Sequence, residues 1–427
     1  MTGRRAMAAS FLLFIIFFAA IEAVMTIAGA PAIRPELLIT EIDPVLLSRN
    51  RSNLSLVTFP RNVRVSTNRD GFRGPEIDET KPAGTYRIVA MGDSATFGYG
   101  VGDDETFCAR LQLRLNGDSG LARLRYEVIN AGVIGYTTVQ GLRVLKRTIL
   151  RLKPDCLVVS YAINDATLSW GQYYFPGKRM SEIPGLSPSA VWLRNLLFNN
   201  SRVCRWALMK ILLERRAVLD ERCDDKIVND TIRRVPPDEY MGNLAEFARI
   251  ARDNGIAVAY LPMPVRIRAS IYPDYEPDTA IRDRESSLAV VRTVVKGIKG
   301  TKDRKILSMM HYFLGGQYVY LGNLRKALDA YMTAVKYSDG RREYRWQNCE
   351  YCELMLKAAE KEKVILRNIL PTFCLRELTD NPSDLYEDFY HPGPLGHEII
   401  AHELHGVIGD LVRARKAGKK SALAAGR

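Results

Sequence analysis

Short apolar runs alternate with amphipathic stretches over most of the 427-residue chain. Continuous apolar runs are typical of strands that are buried on both faces, and the stretches between them follow the 3.6-residue period of helices. The predicted strands are 86–91, 126–129, 156–161, 256–261 and 364–369. The clearest predicted helices are 106–115, 139–152, 240–254 and 397–412. This alternation predicts an α/β protein with a parallel sheet and helices on both faces.

Two stretches break the alternation. Residues 170–235 are rich in Trp, Leu and Arg with little strand character, which predicts a helical excursion over the edge of the sheet. Residues 285–362 predict a helical insert, part of which resembles one tetratricopeptide repeat, where small residues let two antiparallel helices approach. The residues that carry this resemblance are Leu314, Gly315, Tyr318, Gly322, Ala327, Tyr331 and Ala334. The alternative is an ordinary helical hairpin, and either would offer a surface to a protein partner.

The N-terminus carries a long apolar stretch. Arg4 and Arg5 precede a run without charge from 6 to 20, and after a single Glu22 the apolar character resumes to about Ala32. This length is sufficient to cross a bilayer, and the two arginines favour a cytoplasmic N-terminus. We therefore expect a single-pass anchor with the rest of the chain outside the cytoplasm, in the periplasm or at the cell surface. The alternative is a cleaved signal peptide, for which Ala28-Gly29-Ala30 would be the small-residue cleavage site.

Composition and charge add few constraints. The net charge is +13, but Lys and Arg are scattered through predicted helices and form no basic stripe interleaved with aromatics, so nucleic-acid binding is not predicted. The seven cysteines cannot all pair within one chain. Cys349 and Cys352 form a lone Cys-x-x-Cys in a helix-like stretch, where a structural role is expected.

These features divide the chain into six parts. The predicted parts are an anchor or signal (1–32), a lead-in segment (33–84), a first stretch of the α/β domain (85–284), the helical insert (285–362), a second stretch of the α/β domain (363–412) and a basic tail (413–427).

A serine and a histidine with a nearby acid are the candidate chemical groups. Gly92-Asp93-Ser94 follows the first predicted strand, and open α/β sheets bind ligands at the carboxyl ends of their strands. A serine hydroxyl is a weak nucleophile, so it needs a base, and the base needs an orienting acid. Asp388-Phe389-Tyr390-His391-Pro392 supplies both, and His391 alone among the five histidines has such a partner. The spacing of His397, His402 and His405 indicates surface or packing residues, and no metal site is predicted.

Acyl transfer also needs hydrogen-bond donors for the oxyanion. Gly135 follows the second strand, and its backbone amide would be accessible to a substrate. Asn164 follows the third strand and offers a side-chain amide. Gly132 is the alternative to Gly135.

Together these residues resemble the SGNH (GDSL-type) hydrolases, over roughly 85–170, 238–265 and 364–412. The resemblance implies a flavodoxin-like, doubly wound three-layer sheet and no cofactor. It implies a Ser94–His391–Asp388 triad and an oxyanion hole formed by the Ser94 amide, Gly135 and Asn164. Ala162 departs from the family pattern, which usually has glycine there. The expected function is cleavage of a lipid acyl ester or an O-acetylated glycan by a membrane-tethered serine esterase. The alternatives are an O-acyltransferase with the same triad and a non-catalytic envelope assembly scaffold.

Overall fold

The described part of the protein begins with a long helix, and two small antiparallel sheets follow it in the lead-in segment. The computed structural model describes residues 2–29, 38–58, 61–121, 123–167, 178–221, 233–264, 266, 284–337, 344–379, 382–388 and 390–416. Helix α1 (Thr2–Ile27) comes first. Two small antiparallel sheets follow, and they consist of β1 (Thr40–Glu41) with β2 (Arg49–Asn50) and of β3 (Ser55–Thr58) with β4 (Val63–Ser66).

A five-stranded parallel sheet forms the centre of the protein. Its strands are β5 (Thr85–Gly92), β6 (Arg125–Gly132), β7 (Cys156–Ser160), β8 (Ala257–Tyr260) and β9 (Ile365–Leu366). Their spatial order is β6-β5-β7-β8-β9. If the first strand of this sheet is counted as one, the order is 2-1-3-4-5, which is the flavodoxin-like arrangement. The predicted fold class is confirmed.

Helices cover both faces of this sheet. The described helices after β5 are α2 (Ser94–Phe97), α3 (Phe107–Gly117), α4 (Thr138–Arg147), α5 (Ile163–Ala166), α6 (Pro188–Asn200), α7 (Arg202–Glu221), α8 (Pro237–Asp253), α9 (Arg284–Gly300), α10 (Arg304–Tyr320), α11 (Leu324–Tyr337), α12 (Tyr344–Glu362), α13 (Leu370–Thr379), α14 (Pro382–Leu385) and α15 (Pro394–Lys416). Ile88 of β5 faces the core shared with α3 and α15, whereas Val89 faces the core shared with α4 and α8. Successive strand residues thus serve opposite layers, as the period of two requires.

The predicted insert contains a tight helical hairpin. α10 and α11 pack against each other around Tyr312 and Tyr331, whose rings meet edge to face at 5.3 Å. Gly315 allows this approach, because a Cβ there would lie 2.7 Å from the Tyr331 ring. The tetratricopeptide-like character of the hairpin stays a prediction. α12 packs instead on α5 and α8, and Tyr351 and Met355 lie in the core beneath the sheet.

Helix α1 is long and apolar enough to cross a membrane. The stretch Met7–Ile27 has 21 residues, and none of its most apolar window is buried within the described part of the protein. Its length and position suit a membrane anchor or a signal sequence, the two alternatives considered for this segment.

His397 is a buried histidine whose protonation opposes folding. It lies on α15 with no exposed surface, and its Nδ1 accepts a hydrogen bond from the Phe107 amide at 3.2 Å. Burial, helped by the charges of Arg73 and His391, lowers the pKa of His397 from 6.5 to about 3. In the unfolded chain this histidine takes up a proton below pH 6.5, whereas the folded protein excludes the proton until about pH 3. The folded state therefore loses stability as the pH falls through this interval.

We expect His397→Gln to reduce this sensitivity to acid. The variant loses packing and is less stable than wild type at pH 7.5, but the difference in free energy of unfolding should shrink by about 2–3 kcal/mol at pH 4.5, two units below the unfolded pKa. Denaturant unfolding in mild detergent at both pH values measures this difference. His402→Gln, on the exposed side of the same helix, is the control. A difference between wild type and His397→Gln that does not change with pH would contradict the expectation.

Candidate active site

Ser94 lies at a sharp turn between β5 and α2. It is the first residue of α2, and Asp93 caps this helix by accepting a hydrogen bond from the Ala95 amide at 2.9 Å. The end of β6 lies directly against the helix, and a Cβ on Gly132 would stand only 2.2 Å from the Phe97 backbone nitrogen. Glycine at 132 is therefore needed for the close approach that presents Ser94 at the carboxyl edge of the sheet.

Arg73 of the lead-in segment packs against this turn and stabilises it. The buried Arg73 guanidinium donates hydrogen bonds to the carbonyl oxygens of Phe97 at 2.8 Å and Val101 at 2.6 Å, and also to that of Gly98. It forms an ion pair with Asp103 at 3.0 Å. These carbonyls belong to the last residue of α2 and to the turn after it, so Arg73 satisfies groups that have no partner within the short helix. Sequence reasoning missed this role, since Arg73 sits in a turn-rich stretch far from any motif.

Asp388 and His391 lie on the loop after α14, and this loop places His391 against Ser94. The Nε2 atom of His391 lies 2.8 Å from Ser94 Oγ, and its Nδ1 lies 2.7 Å from Asp388 Oδ2. The other carboxylate oxygen, Oδ1, accepts the backbone amides of Tyr390 at 2.7 Å and His391 at 2.8 Å. Burial opposes ionisation of Asp388, but the bonds from His391 and these amides prevail and hold its pKa below the usual value. The structure brings Ser94 together with Asp388 and His391, which lie 294 and 297 positions further along the sequence.

Two tyrosines flank the imidazole of His391. The ring of Tyr99 lies 4.8 Å from it and that of Tyr390 lies 5.1 Å from it, both measured between centroids. The Tyr390 hydroxyl donates to Asp93 Oδ2 at 2.8 Å. The loop that carries His391 is therefore hydrogen-bonded to Asp93, the N-cap of α2.

Asn164 is connected to the same carboxylate. Its Nδ2 donates to Asp93 Oδ2 at 3.1 Å. Asp93 is fully buried, and burial raises its pKa despite these hydrogen bonds. Ala162, at the position where the SGNH pattern has glycine, has φ −164° and ψ −60°, so it lies outside the left-handed region that favours glycine.

Gly135 occupies a turn after β6 with φ +79°, in the left-handed region that favours glycine. The alternative, Gly132, is less suited to bind a substrate, because its amide already donates to Asn130 Oδ1 at 3.0 Å. Its close packing against α2 is a structural reason for glycine at that position.

Arg234 joins the two candidate oxyanion residues. Its guanidinium donates to the Gly135 carbonyl at 3.0 Å and approaches Asn164 Oδ1 at 3.5 Å, the long end of the hydrogen-bond range. Its backbone is fixed by bonds from its amide to Thr167 O at 2.8 Å and from the Met180 amide to its carbonyl at 2.7 Å. Sequence reasoning missed Arg234, and no spacing signal marked it, because it lies at the end of the predicted helical excursion.

A second buried acid supports the Asn164 turn. Asp165 accepts the Thr138 amide at 2.9 Å at the start of α4. Burial raises the pKa of Asp165 to about 7, even though Thr138 and Arg234 favour its charged form. Among the described residues, no cluster of three or more His, Cys, Asp or Glu side chains could hold a metal ion.

The predicted cysteine motif falls on α12. Cys352 is buried, and its thiol lies 3.6 Å from the Met263 carbonyl oxygen. This environment fits the packing role expected for it, whereas the side chain of Cys349 lies outside the described residues.

Comparison with protein families identifies one match. Residues 90–183 match the model of the GDSL-like lipase/acylhydrolase family. The match includes Ser94, Gly135 and Asn164, whereas Asp388 and His391 lie beyond it. No curated protein gives a significant match.

Solved structures give distant likenesses. An α/β hydrolase from the metagenome of Lake Arreo, Spain, is 17% identical, with a TM-score of 0.37, over 76% of this chain and 95% of its own. An acetylxylan esterase from Geobacillus stearothermophilus is 14% identical, with a TM-score of 0.38, over 76% and 94%. A lipase/acylhydrolase from Enterococcus faecalis is 13% identical, with a TM-score of 0.36, over 76% and 95%.

Proposed function

Since this chain carries a domain of the GDSL-like lipase/acylhydrolase family, a serine ester hydrolase domain, we propose that Ser94, His391 and Asp388 form its catalytic triad. The family prediction made from the sequence is confirmed. The observation that supports the triad is the continuous hydrogen-bonded chain from Ser94 Oγ through His391 to Asp388, with distances of 2.8 Å and 2.7 Å. A nucleophile, a base and an orienting acid in contact are what acyl transfer requires.

The proposed reaction has two halves. Ser94 Oγ attacks the ester carbonyl carbon while His391 Nε2 takes the hydroxyl proton, and Asp388 stabilises the imidazolium that forms. The tetrahedral intermediate collapses, the C–O bond to the alcohol breaks, and His391 returns the proton to the departing oxygen. Water then gives a proton to His391 Nε2 and attacks the acyl carbon of the acyl-enzyme. The second tetrahedral intermediate collapses, the bond from the acyl carbon to Ser94 Oγ breaks, and His391 returns the proton to Oγ, which releases the carboxylic acid and restores Ser94.

The oxyanion of each intermediate needs donors near Ser94. We assign this role to the Ser94 amide, the Gly135 amide and Asn164 Nδ2, because preorganised donors stabilise charge that develops in the transition state. The bond from Asn164 to Asp93 holds the side-chain amide beside the serine turn.

The substrate we propose is an ester on the outer side of the membrane, either a lipid acyl ester or an O-acetylated glycan. A fluorophosphonate probe tests the catalytic assignment, because it should label the full chain on the peptide that contains Ser94. Absence of labelling in folded protein would favour the non-catalytic scaffold. Product analysis with and without an added acceptor alcohol distinguishes hydrolysis from O-acyl transfer.

The proposed location rests on Arg4, Arg5 and the apolar stretch of α1. We expect protease added to spheroplasts to digest the catalytic domain, since it lies on the far side of the membrane from the N-terminus. Full protection of the chain in intact spheroplasts, with digestion after lysis, would contradict this orientation.

We further propose that Arg234 is a positioning residue for the oxyanion hole. Arg234→Met should lower kcat for p-nitrophenyl acetate by roughly 10- to 100-fold with little change in KM, because the donors are then less well aligned in the transition state. Arg234→Lys should recover part of kcat. Arg233→Met, which removes an ion pair with Glu350, is the matched control for loss of a neighbouring guanidinium.

A double-mutant cycle separates positioning from a general structural effect. If Arg234 acts through Asn164, the loss caused by Arg234→Met should be much smaller in an Asn164→Ala background. Equal losses in both backgrounds would show that Arg234 does not act through Asn164.

A further inference from the structure

Helices α6 and α7 expose apolar side chains where a water-soluble protein has polar ones. On α6, Val191 and Phe198 point into the protein, yet the outward side also carries large apolar residues. Among the described side chains of the pair, the large apolar residues that are exposed are Trp192, Leu193, Leu196, Leu197, Trp206 and Ile211. Trp192 is 65% exposed and Trp206 is 47% exposed. A helix that is apolar on both sides is usually covered on both, and a patch of this kind marks an interaction surface.

The same helices are attached to the apolar helix α1. Glu22 accepts hydrogen bonds from the Ser201 hydroxyl at 2.7 Å and from the backbone amides of Arg202 at 2.5 Å and Val203 at 3.2 Å. These donors form the N-terminus of α7, where a negative charge is stabilised by the helix dipole. The one acidic residue of the apolar stretch is thus satisfied by α7, which removes much of the cost of placing it at membrane depth.

The position of Glu22 sets the depth of α7. It lies five residues before the end of the apolar stretch at Ile27, which corresponds to about 7 Å along a helix axis. Helices that lie in a membrane interface bury their apolar side to about 5–10 Å. The attachment point therefore places the start of α7 at the depth that an interfacial helix occupies.

We propose that α6 and α7 lie in the outer interface of the bilayer that α1 crosses, with Trp192, Leu196 and Trp206 among the acyl chains. This inference rests on the proposed anchor and extends it. The inner side of α6 is bonded to the lead-in segment, where Asn195 donates to the Ile42 carbonyl at 2.8 Å and Asn199 to Glu41 at 3.3 Å. Helices α6 and α7 thereby hold the catalytic domain in one orientation relative to the membrane surface.

Tryptophan quenching in vesicles tests this placement with the full chain. Single-tryptophan variants that retain Trp192 or Trp206, with the other three tryptophans changed to Phe, are reconstituted in phosphatidylcholine vesicles. We expect emission to fall most with lipids brominated near the headgroup end of the acyl chain and less with lipids brominated near the methyl end. Indole rings at the interface lie closest to the shallow bromines.

Two matched positions complete the experiment in a tryptophan-free background. Phe14→Trp, in the middle of the apolar stretch, should be quenched most by the deep bromines. Leu113→Trp, on the exposed side of α3, should not be quenched. Quenching at 14 without quenching at 192 and 206 would overturn the placement of α6 and α7 in the interface. Absence of quenching at 14 would remove the anchor and overturn the proposal with it, whereas the ester hydrolysis rate tests the triad separately.

Discussion

Ser94→Ala should reduce kcat for p-nitrophenyl acetate by roughly 10⁴- to 10⁶-fold, because the acyl-enzyme can no longer form. A residual rate above that of water is expected, since the oxyanion donors and the binding surface remain. The hydroxyl of Ser94 is buried and bonded to His391, so its removal should change the free energy of unfolding only modestly. Steady-state kinetics and denaturant unfolding measure the two effects.

Ser160→Ala is the matched control for this substitution. Ser160 ends β7 beside the end of β5, and its hydroxyl has no hydrogen-bond partner among the described residues. Loss of that hydroxyl should leave kcat close to wild type. Wild-type turnover in Ser94→Ala, or an equal loss in both variants, would refute Ser94 as the nucleophile.

Asp388→Asn should reduce kcat by roughly 10³- to 10⁴-fold with the loop intact, because the histidine is then held in the wrong tautomer. The structure indicates which way the new amide would face. Oδ1 of Asp388 accepts two backbone amides, so the carbonyl oxygen of Asn would take that place and its NH₂ would face His391 Nδ1. The proton of His391 would then lie on Nε2, which could no longer accept the Ser94 proton.

The control for Asp388→Asn is Asp384→Asn, an exposed carboxylate on α14 in the same part of the chain. That variant should keep nearly full activity. The pH dependence of kcat gives a further readout, since a tautomer effect persists at every pH. Full activity of Asp388→Asn would mean that His391 is oriented by another group.

The centre of the sheet could be predicted because β5 and β7 are buried along their whole length, whereas the edge strand β9 is only partly buried. Each of the five predicted strands exists, with ends shifted by a few residues, since Ile88, Val89 and their neighbours form apolar runs that only a covered parallel strand accommodates. The lead-in segment could not be predicted in this way. β1 to β4 are two to four residues long, too short to show a period.

Some residues of the candidate site could be predicted from the sequence and others could not. Ser94 and Asn164 could be found from their residue types at strand ends, and His391 from its spacing to Asp388. Arg73 and Arg234 could not, because three hydrogen bonds of Arg73 and the shorter one of Arg234 go to backbone carbonyl oxygens, which any residue possesses. Because a backbone carbonyl is present in every residue type, contacts of this kind cannot be predicted from a single sequence.

If α1 anchors the protein as proposed, the way the lead-in segment packs into the domain determines where a protease could release the domain from α1. Ile39 is buried, Asn50 donates to the Gly132 carbonyl at 2.9 Å, and Arg73 lies beneath the serine helix. A protease that cut the chain near Gly84 would leave both pieces joined by these contacts, and the nicked enzyme would stay on the membrane. A cut before Ile39 would separate α1 from the domain with these contacts intact, and α6 and α7 alone would then hold the domain at the membrane.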